Sequence, residues 1–262
     1  MKILVLSFYY QPDLCAGSFR CSALIEHLKK QQGIEIELIT TLPNRYASFS
    51  ADAPAHEVND NVEVNRIALP SHASGMLDQM KSFRVFYRQA LSITKHKDYD
   101  MVFATSSRLF TAFLGARISK AKKIPLYLDI RDIFVDTIKD VLPSKITWLA
   151  KPIFSGIEKY TFSQAGRINL VSPGFNEYFS QHYPDTEYRW FTNGIDKEFL
   201  SVAPDVEGSD YLEKVVTVLY AGNIGEGQGL HAIIPKLAKR YTDKVEIDFN
   251  EAVSFIIDKL HQ

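Results

Sequence analysis

The sequence predicts an α/β fold in which a mostly parallel sheet is covered by helices on both faces. Short apolar runs with strand character alternate along the whole chain with amphipathic runs of helical period, the pattern of successive βα units. The chain has 262 residues, 46% of them hydrophobic and 12% aromatic, ample for a buried core and unlike a disordered polypeptide.

Residues 3–8 read as the first strand. The preceding Met1-Lys2 is too short and too weakly charged for a signal peptide, and Gln11-Pro12-Asp13 follows with no small-residue cleavage site. Cys21, Leu24, Ile25 and Leu28 then fall at i, i+3, i+4 and i+7 of a helix, with Lys29-Lys30 and Gly33 as its stop. A second strand is expected at 36–40 and a third at 62–68. Between them, residues 43–61 contain two prolines and no apolar period, so they read as a long loop of the kind that edges sites in α/β folds. Further strands are expected at 101–104, 125–129, 168–171 and 188–191. Leu109, Ala112, Phe113 and Ala116 form a helical stripe behind Ser106-Ser107, a candidate N-cap pair. The turn Asn193-Gly194-Ile195-Asp196 leads out of the last strand. A fresh strand at 215–220, a helix at 228–240, a strand at 245–249 and a helix carrying Val253, Ile256, Ile257 and Leu260 start a second α/β unit. Two strands do not make an independently stable sheet, so this unit is expected to lean on the first, on another chain, or to stay partly disordered. The expected division is 1–200 for a complete first domain and 201–262 for a partial second one.

Lysine and arginine number 30 against 31 acids, a formal charge of −1, which excludes the global basic field of nonspecific nucleic-acid binders. Cys15 and Cys21 alone fit reduced thiols rather than a disulfide framework or a zinc site. The seven histidines lack metal-ligand spacing, no Walker loop, G-x-S-x-G or H-E-x-x-H occurs, and no metal site is expected. No apolar run reaches the roughly 18 residues of a membrane span, so any membrane contact is peripheral.

Four segments are candidates for chemistry. Gly17, in the loop from Tyr9 to Ser18, lets helix amides approach an anion, or simply relieves a turn. The loop lacks G-x-G-x-x-G, which argues against a dinucleotide enzyme. Asp129-Ile130-Arg131-Asp132 follows a strand directly, at the carboxyl edge where open α/β sheets bind ligands. It suits sugar hydroxyls or, alternatively, a helix-capping ion pair. Ser172-Pro173-Gly174 is a ligand-facing turn or a plain helix start, and Gly222, Asn223, Gly225, Gly227 and Gly229 form a phosphate-facing loop or a flexible turn. Residues 71–97 interleave Met76, Leu77, Met80, Phe83, Phe86 and Tyr87 with Lys81, Arg84, Arg88, Lys95 and Lys97 against Asp78 alone. Such a helix lies on an anionic membrane surface or packs its apolar side inward.

In order, the first strand, the loop from Gln11-Pro12 to Gly17 and Arg20, Asp129-Ile130-Arg131-Asp132-Ile133-Phe134, Val171-Ser172-Pro173-Gly174, Asn193-Gly194-Ile195-Asp196 and Leu219 to Gly225 resemble the GT-B glycosyltransferases of family 4, especially those of bacterial O-antigen, capsule and exopolysaccharide synthesis. The resemblance implies two Rossmann-like domains. The second holds a nucleotide-diphosphate sugar, and the first holds a glycan or polyprenyl-linked acceptor. It implies transfer with retention and no metal or cofactor; the charge balance argues against a nucleic-acid partner, the reduced thiols fit the cytoplasm, and residues 71–97 offer contact with the inner face of the membrane. Gly17, Gly222, Asn223 and Gly225 are then donor-phosphate residues. Arg20, Arg131, Asp132 and Ser172 are sugar or acceptor residues, and Asn193, Gly194 and Asp196 are the hinge. No catalytic residue is named. The family's acidic pair seven residues apart and its diphosphate-binding Arg/Lys pair have no counterpart here, and Phe134-Val135 stand where Trp-Pro is common. The alternative reading is therefore a truncated or split half, which binds acceptor or a partner chain that supplies the donor domain.

Overall fold

The structure is a computed structural model that describes residues 1–43, 52–70, 76–106, 109–133, 144–194, 216–219, 230–240 and 245–248. The chain divides into two compact units, Met1–Ile195 and Asp196–Gln262. In the first, strand β1 (Lys2–Leu6) leads to helix α1 (Ala16–Leu28), then β2 (Glu35–Thr41), β3 (His56–Asn59), β4 (Val62–Ile67) and α2 (Met76–Thr94). There follow β5 (Met101–Thr105), α3 (Leu109–Lys122), β6 (Leu126–Ile130), α4 (Ser144–Ser163), β7 (Arg167–Leu170), a 3-10 turn (Pro173–Phe175), α5 (Asn176–His182) and β8 (Glu187–Arg189).

These eight strands make one sheet in the order β3-β4-β2-β1-β5-β6-β7-β8, parallel throughout except for the antiparallel β3-β4 pair. Parallel strands place every strand-to-helix connection at one edge, and the order reverses at β1, so a crevice is expected outside the carboxyl ends of β1 and β5. Alternate side chains of β1 feed two separate cores. Ile3 and Val5 pack with Ile36, Leu38, Val62 and Val64 beneath Cys21 and Ile25 of α1. Leu4 and Leu6 pack on the other face with Phe86 and Ala90 of α2, Ala112 and Leu114 of α3, Phe162 of α4 and Phe179 of α5. Helix α3 lies so close to the sheet that a Cβ at Gly115 would stand 2.7 Å from the Ala104 Cβ.

The α/β class and every strand expected in the first unit are present, with one strand more. Residues 56–59, read from sequence as loop, form β3 and turn back into β4 through Asp60 at φ 53°. This edge strand has His56, Val58 and Asn59 exposed, so it lacks the apolar run by which buried strands are recognised. Helix α1 ends at Leu28, and Gly33 adopts the left-handed φ of 75° in the turn to β2, as its place after the basic pair suggested.

The second unit contains β9 (Val216–Leu219), α6 (Leu230–Arg240) and β10 (Val245–Asp248), with β9 and β10 paired in parallel. The expected last helix and the glycine cluster, with Gly222, Asn223 and Gly225, lie outside the described residues. Among the described residues no helix is long and apolar enough to cross a membrane.

Candidate functional site at the carboxyl edge of the sheet

The ends of β1, β5, β6 and β7 bring polar groups to one edge. Ser7, after β1, donates its hydroxyl to the Tyr9 carbonyl at 2.6 Å and lies 3.5 Å from the Thr105 hydroxyl at the end of β5. Ser106 donates its amide to the Asp129 carbonyl at 2.8 Å, and its Oγ accepts the Arg131 amide at 3.0 Å. That second bond commits the Ser106 hydroxyl to the neighbouring chain end rather than to the N-cap expected of it; Ser107 lies outside the described residues.

Helix α1 opens on this edge. Its N-cap residue Cys15 is extended (φ −151°, ψ 158°) and gives no side-chain cap, and the first turn holds no acid. Phe19 donates the first intrahelical bond, to the Cys15 carbonyl at 3.0 Å. The amides of Ala16, Gly17 and Ser18 precede it, so they have no intrahelical acceptor, and the helix dipole adds partial positive charge there. The Ser18 hydroxyl is buried without a partner. Gly17 thus stands in a turn of uncapped amides suited to an anion.

Arg20 lies one turn further along. Its guanidinium grips Asp129 from the side, Nε to Oδ2 at 2.8 Å and Nη2 to Oδ1 at 2.9 Å, and donates to the carbonyls of Phe191 at 2.7 Å and Thr192 at 2.8 Å. Asn169 of β7, 1% exposed, joins them: its Nδ2 donates to Asp129 Oδ1 at 2.6 Å and its Oδ1 accepts the Phe191 amide at 2.6 Å. Sequence reasoning singled out Arg20 and the Asp129 segment but missed Asn169. Its signal was a lone polar residue inside the apolar run Ile168-Asn169-Leu170-Val171.

The other expected residues divide. Arg131 is half-buried and Asp132 exposed, and among the described residues neither side chain forms a hydrogen bond or ion pair, so the capping pair considered as an alternative is not made. Desolvation raises the Asp132 carboxyl above the ordinary aspartate range, with Arg131 opposing. Ser172 accepts the Gly174 amide at 3.2 Å and caps the 3-10 turn, which is the plain helix-start role. Asn193 and Gly194 are exposed coil after β8, with open space around Gly194, and Asp196 lies outside the described residues.

Two buried groups tie the loop after β1 to the β3-β4 hairpin. Tyr10 has its phenol pushed up to about 12, first by burial and then by nearby Cys21 and Glu26, against Arg66, whose guanidinium lies 5.7 Å from the ring. Arg66 also donates to the carbonyls of Pro54 at 3.0 Å and Gln11 at 3.3 Å and pairs with Glu57 at 2.7 Å, so the β3-β4 hairpin holds the loop after β1. Among the described residues no cluster of three or more His, Cys, Asp or Glu is placed to hold a metal ion. A cavity of about 550 Å³ lies elsewhere, between the C-terminal halves of α2 and α3, lined by Arg88, Leu91, Lys95, Ile118 and Lys122.

No protein-family model matches the chain, and no curated protein matches it. Solved structures do. WaaG, a glycosyltransferase involved in lipopolysaccharide biosynthesis, superimposes with a TM-score of 0.56 at 14% identity, covering 94% of this chain and 62% of that one. WaaB, a lipopolysaccharide outer core galactosyltransferase in its apo form, gives 0.55 at 10%, covering 94% and 60%. Anabaena HepE in complex with UDP gives 0.51 at 16%, covering 100% and 65%. The fold is the Rossmann-like α/β fold of GT-B glycosyltransferases, and the chain spans less than two thirds of the length of these three.

Proposed function

We propose that the chain is a glycosyltransferase of family 4 type, which moves a sugar with retention from a nucleotide-diphosphate sugar to a glycan or lipid-linked acceptor in cell-surface polysaccharide synthesis. The observation that carries this reading is the uncapped first turn of α1, with Gly17, set at the carboxyl edge where the strand order reverses. As the sugar–phosphate bond breaks, negative charge grows on the leaving diphosphate. Amides already oriented at a helix N-terminus stabilise that charge without reorganisation. Support also comes from similar folds, two of them glycosyltransferases and a third with UDP bound.

In this reading the amides of 16–18 take the diphosphate, and Gly222, Asn223 and Gly225 are further donor-phosphate residues by the family pattern. Arg131 and Asp132, whose side chains form no hydrogen bond among the described residues, take sugar or acceptor hydroxyls. Asn193, Gly194 and Asp196 serve as hinge. The outward side of α2, with Met80, Lys81, Arg84 and Arg88 exposed, rests on the inner face of the cytoplasmic membrane, where a lipid-linked acceptor would be met.

The test is nucleotide release from a panel of nucleotide sugars with a polyprenyl-linked acceptor. Release that falls steeply in Gly17→Val supports the reading. No release from any donor, with no binding of UDP or another nucleoside diphosphate by calorimetry, refutes it. Silence relieved by a second polypeptide would instead favour the split-half alternative.

A further inference from the structure

Arg20 is placed to hold protein rather than substrate. Of its five N–H donors, four are committed: two to Asp129 and one each to the carbonyls of Phe191 and Thr192. The Asp129 side chain is 3% exposed and that of Arg20 20%, so the bidentate pair sits largely out of water, where a forked charge-assisted contact is strong. Asn169 completes the arrangement by donating to Asp129 and to the Phe191 carbonyl at 3.2 Å and by accepting the Phe191 amide. Strand pairing stops at Arg189, so residues 191 and 192 have left the sheet ladder. What fixes them is this set of side chains, reached across 171 and 172 residues of sequence from Arg20.

We propose that Arg20 is a positioning residue, and that Arg20, Asp129 and Asn169 form a clamp that locks the segment leaving the first unit onto the first turns of α1. Arg20 stands three residues after Gly17, on the same side of the helix. The amides that face the anion and the chain that departs toward residue 196 therefore belong to one rigid piece. An anion that settles on the turn, or a change in the direction of the departing chain, acts on the same guanidinium. This deepens the glycosyltransferase reading and rests on it for the purpose of the coupling, although the clamp itself does not depend on it.

The experiment is hydrogen exchange of the full chain, followed by mass spectrometry of peptides spanning 188–194, in wild type, Arg20→Ala, Arg20→Lys and Asn169→Ser. The clamp predicts that the Phe191 amide exchanges at least ~10-fold faster in Arg20→Ala and Asn169→Ser, with Arg20→Lys between them and wild type. In nucleotide-sugar turnover, Arg20→Lys should lower kcat and leave the acceptor KM within about twofold, the pattern of lost positioning rather than lost contact. Unchanged exchange at 188–194 in Arg20→Lys and Asn169→Ser overturns the proposal, as does a raised acceptor KM with unchanged exchange, which would make Arg20 a ligand. Should Arg20→Ala fail to fold, the other two variants decide. Should the wild type transfer no sugar, the exchange result still decides the clamp, so the two readings fail separately.

Discussion

Replacing Glu37 by leucine removes an acceptor shared by three donors, and an ion-pair partner of Lys2, near the amino end of the sheet. The carboxylate is fully buried in β2 and accepts from Lys97 Nζ at 2.7 Å, Tyr99 OH at 3.0 Å and Asn65 Nδ2 at 3.1 Å, with Lys2 Nζ at 3.7 Å. Leucine strands the Tyr99 hydroxyl and half-strands the Asn65 amide, at about 1–3 kcal/mol for each buried group left unsatisfied. Lys97 loses less, because its side chain is 34% exposed and it keeps Glu63 at 3.2 Å. Set against about 1 kcal/mol of added apolar burial, the net loss is about 2–4 kcal/mol. For a unit of 195 residues that is a Tm lower by roughly 5–12 °C. Glu37→Gln keeps the shape and one acceptor, so it should lose about 1–2 kcal/mol. The assay is urea unfolding followed by circular dichroism, repeated across pH. Desolvation pushes Glu63 up, but hydrogen bonds from Lys97, Asn65 and His56 outweigh it and hold the carboxyl below its ordinary 4.5. That contribution is complete above the ordinary value and disappears as pH falls through the depressed one. Desolvation lowers Lys97, but its bonds to Glu37 and Glu63 outweigh it, so Lys97 adds stability up to its ordinary 10.5 and loses it as pH climbs through the raised value. Glu37→Leu should flatten this alkaline loss. A leucine variant as stable as wild type, or a glutamine variant less stable than leucine, would refute the reasoning, since stranded donors would then not set the cost.

Gly115→Ala should lower stability by about 1 kcal/mol: overpacking against Ala104 and Leu126 costs about 1–3 kcal/mol, offset by about 1 kcal/mol of helix propensity, and a raised urea midpoint would show that α3 has room to withdraw. Timed iodoacetamide labelling at pH 8, read by peptide mass spectrometry, should modify Cys15 at least ~100-fold faster than Cys21, which is 1% exposed and whose thiol burial pushes up to about 12; comparable labelling of the native chain would contradict the packing of α1. Sedimentation with anionic vesicles should weaken by ~100-fold or more when Lys81, Arg84 and Arg88 all become glutamate, at about 1 kcal/mol for each basic residue removed near the surface. Binding that is absent, or unaffected by the change, removes the membrane-facing role of α2.

The sequence made the central parallel strands β2 and β6 legible because they are buried on both faces: all five residues of β6 but Tyr127 are buried, and so is every residue of β2 but Glu35. It hid β3, whose exposed residues carry no apolar run. It hid the clamp for a different reason. Residues 20, 129, 169 and 191 meet only once the strand order is known, and periodicity carries no information on which strands are neighbours. The family resemblance made Arg20 look like a ligand, and residue type does not contradict it, because an arginine near a glycine turn suits a phosphate or sugar as well as it suits a buried carboxylate. Ser172 was legible as a choice between two roles, and the 3.2 Å bond from Gly174 shows the cap being made.

The two ends of the first sheet treat polar groups in opposite ways, and the direction of the strands explains why. At the amino end Lys2, Lys97 and Tyr99 lie where β1 and β5 begin, and they saturate Glu37 together with Asn65. At the carboxyl end helices begin rather than finish, so uncapped amides and positive dipole ends collect there, on the same edge as Arg131 and Asp132, whose side chains form no hydrogen bond among the described residues. Substitutions in the Glu37 network should therefore lower the folded fraction while turnover per folded molecule stays the same. Gly17→Val or Arg131→Ala should do the reverse, with unfolding midpoints near wild type and turnover reduced. Active-site titration alongside urea unfolding separates the two. If turnover per folded molecule tracks Glu37 as closely as Arg131, chemistry is not confined to the carboxyl edge, and the strand-order argument for the site fails.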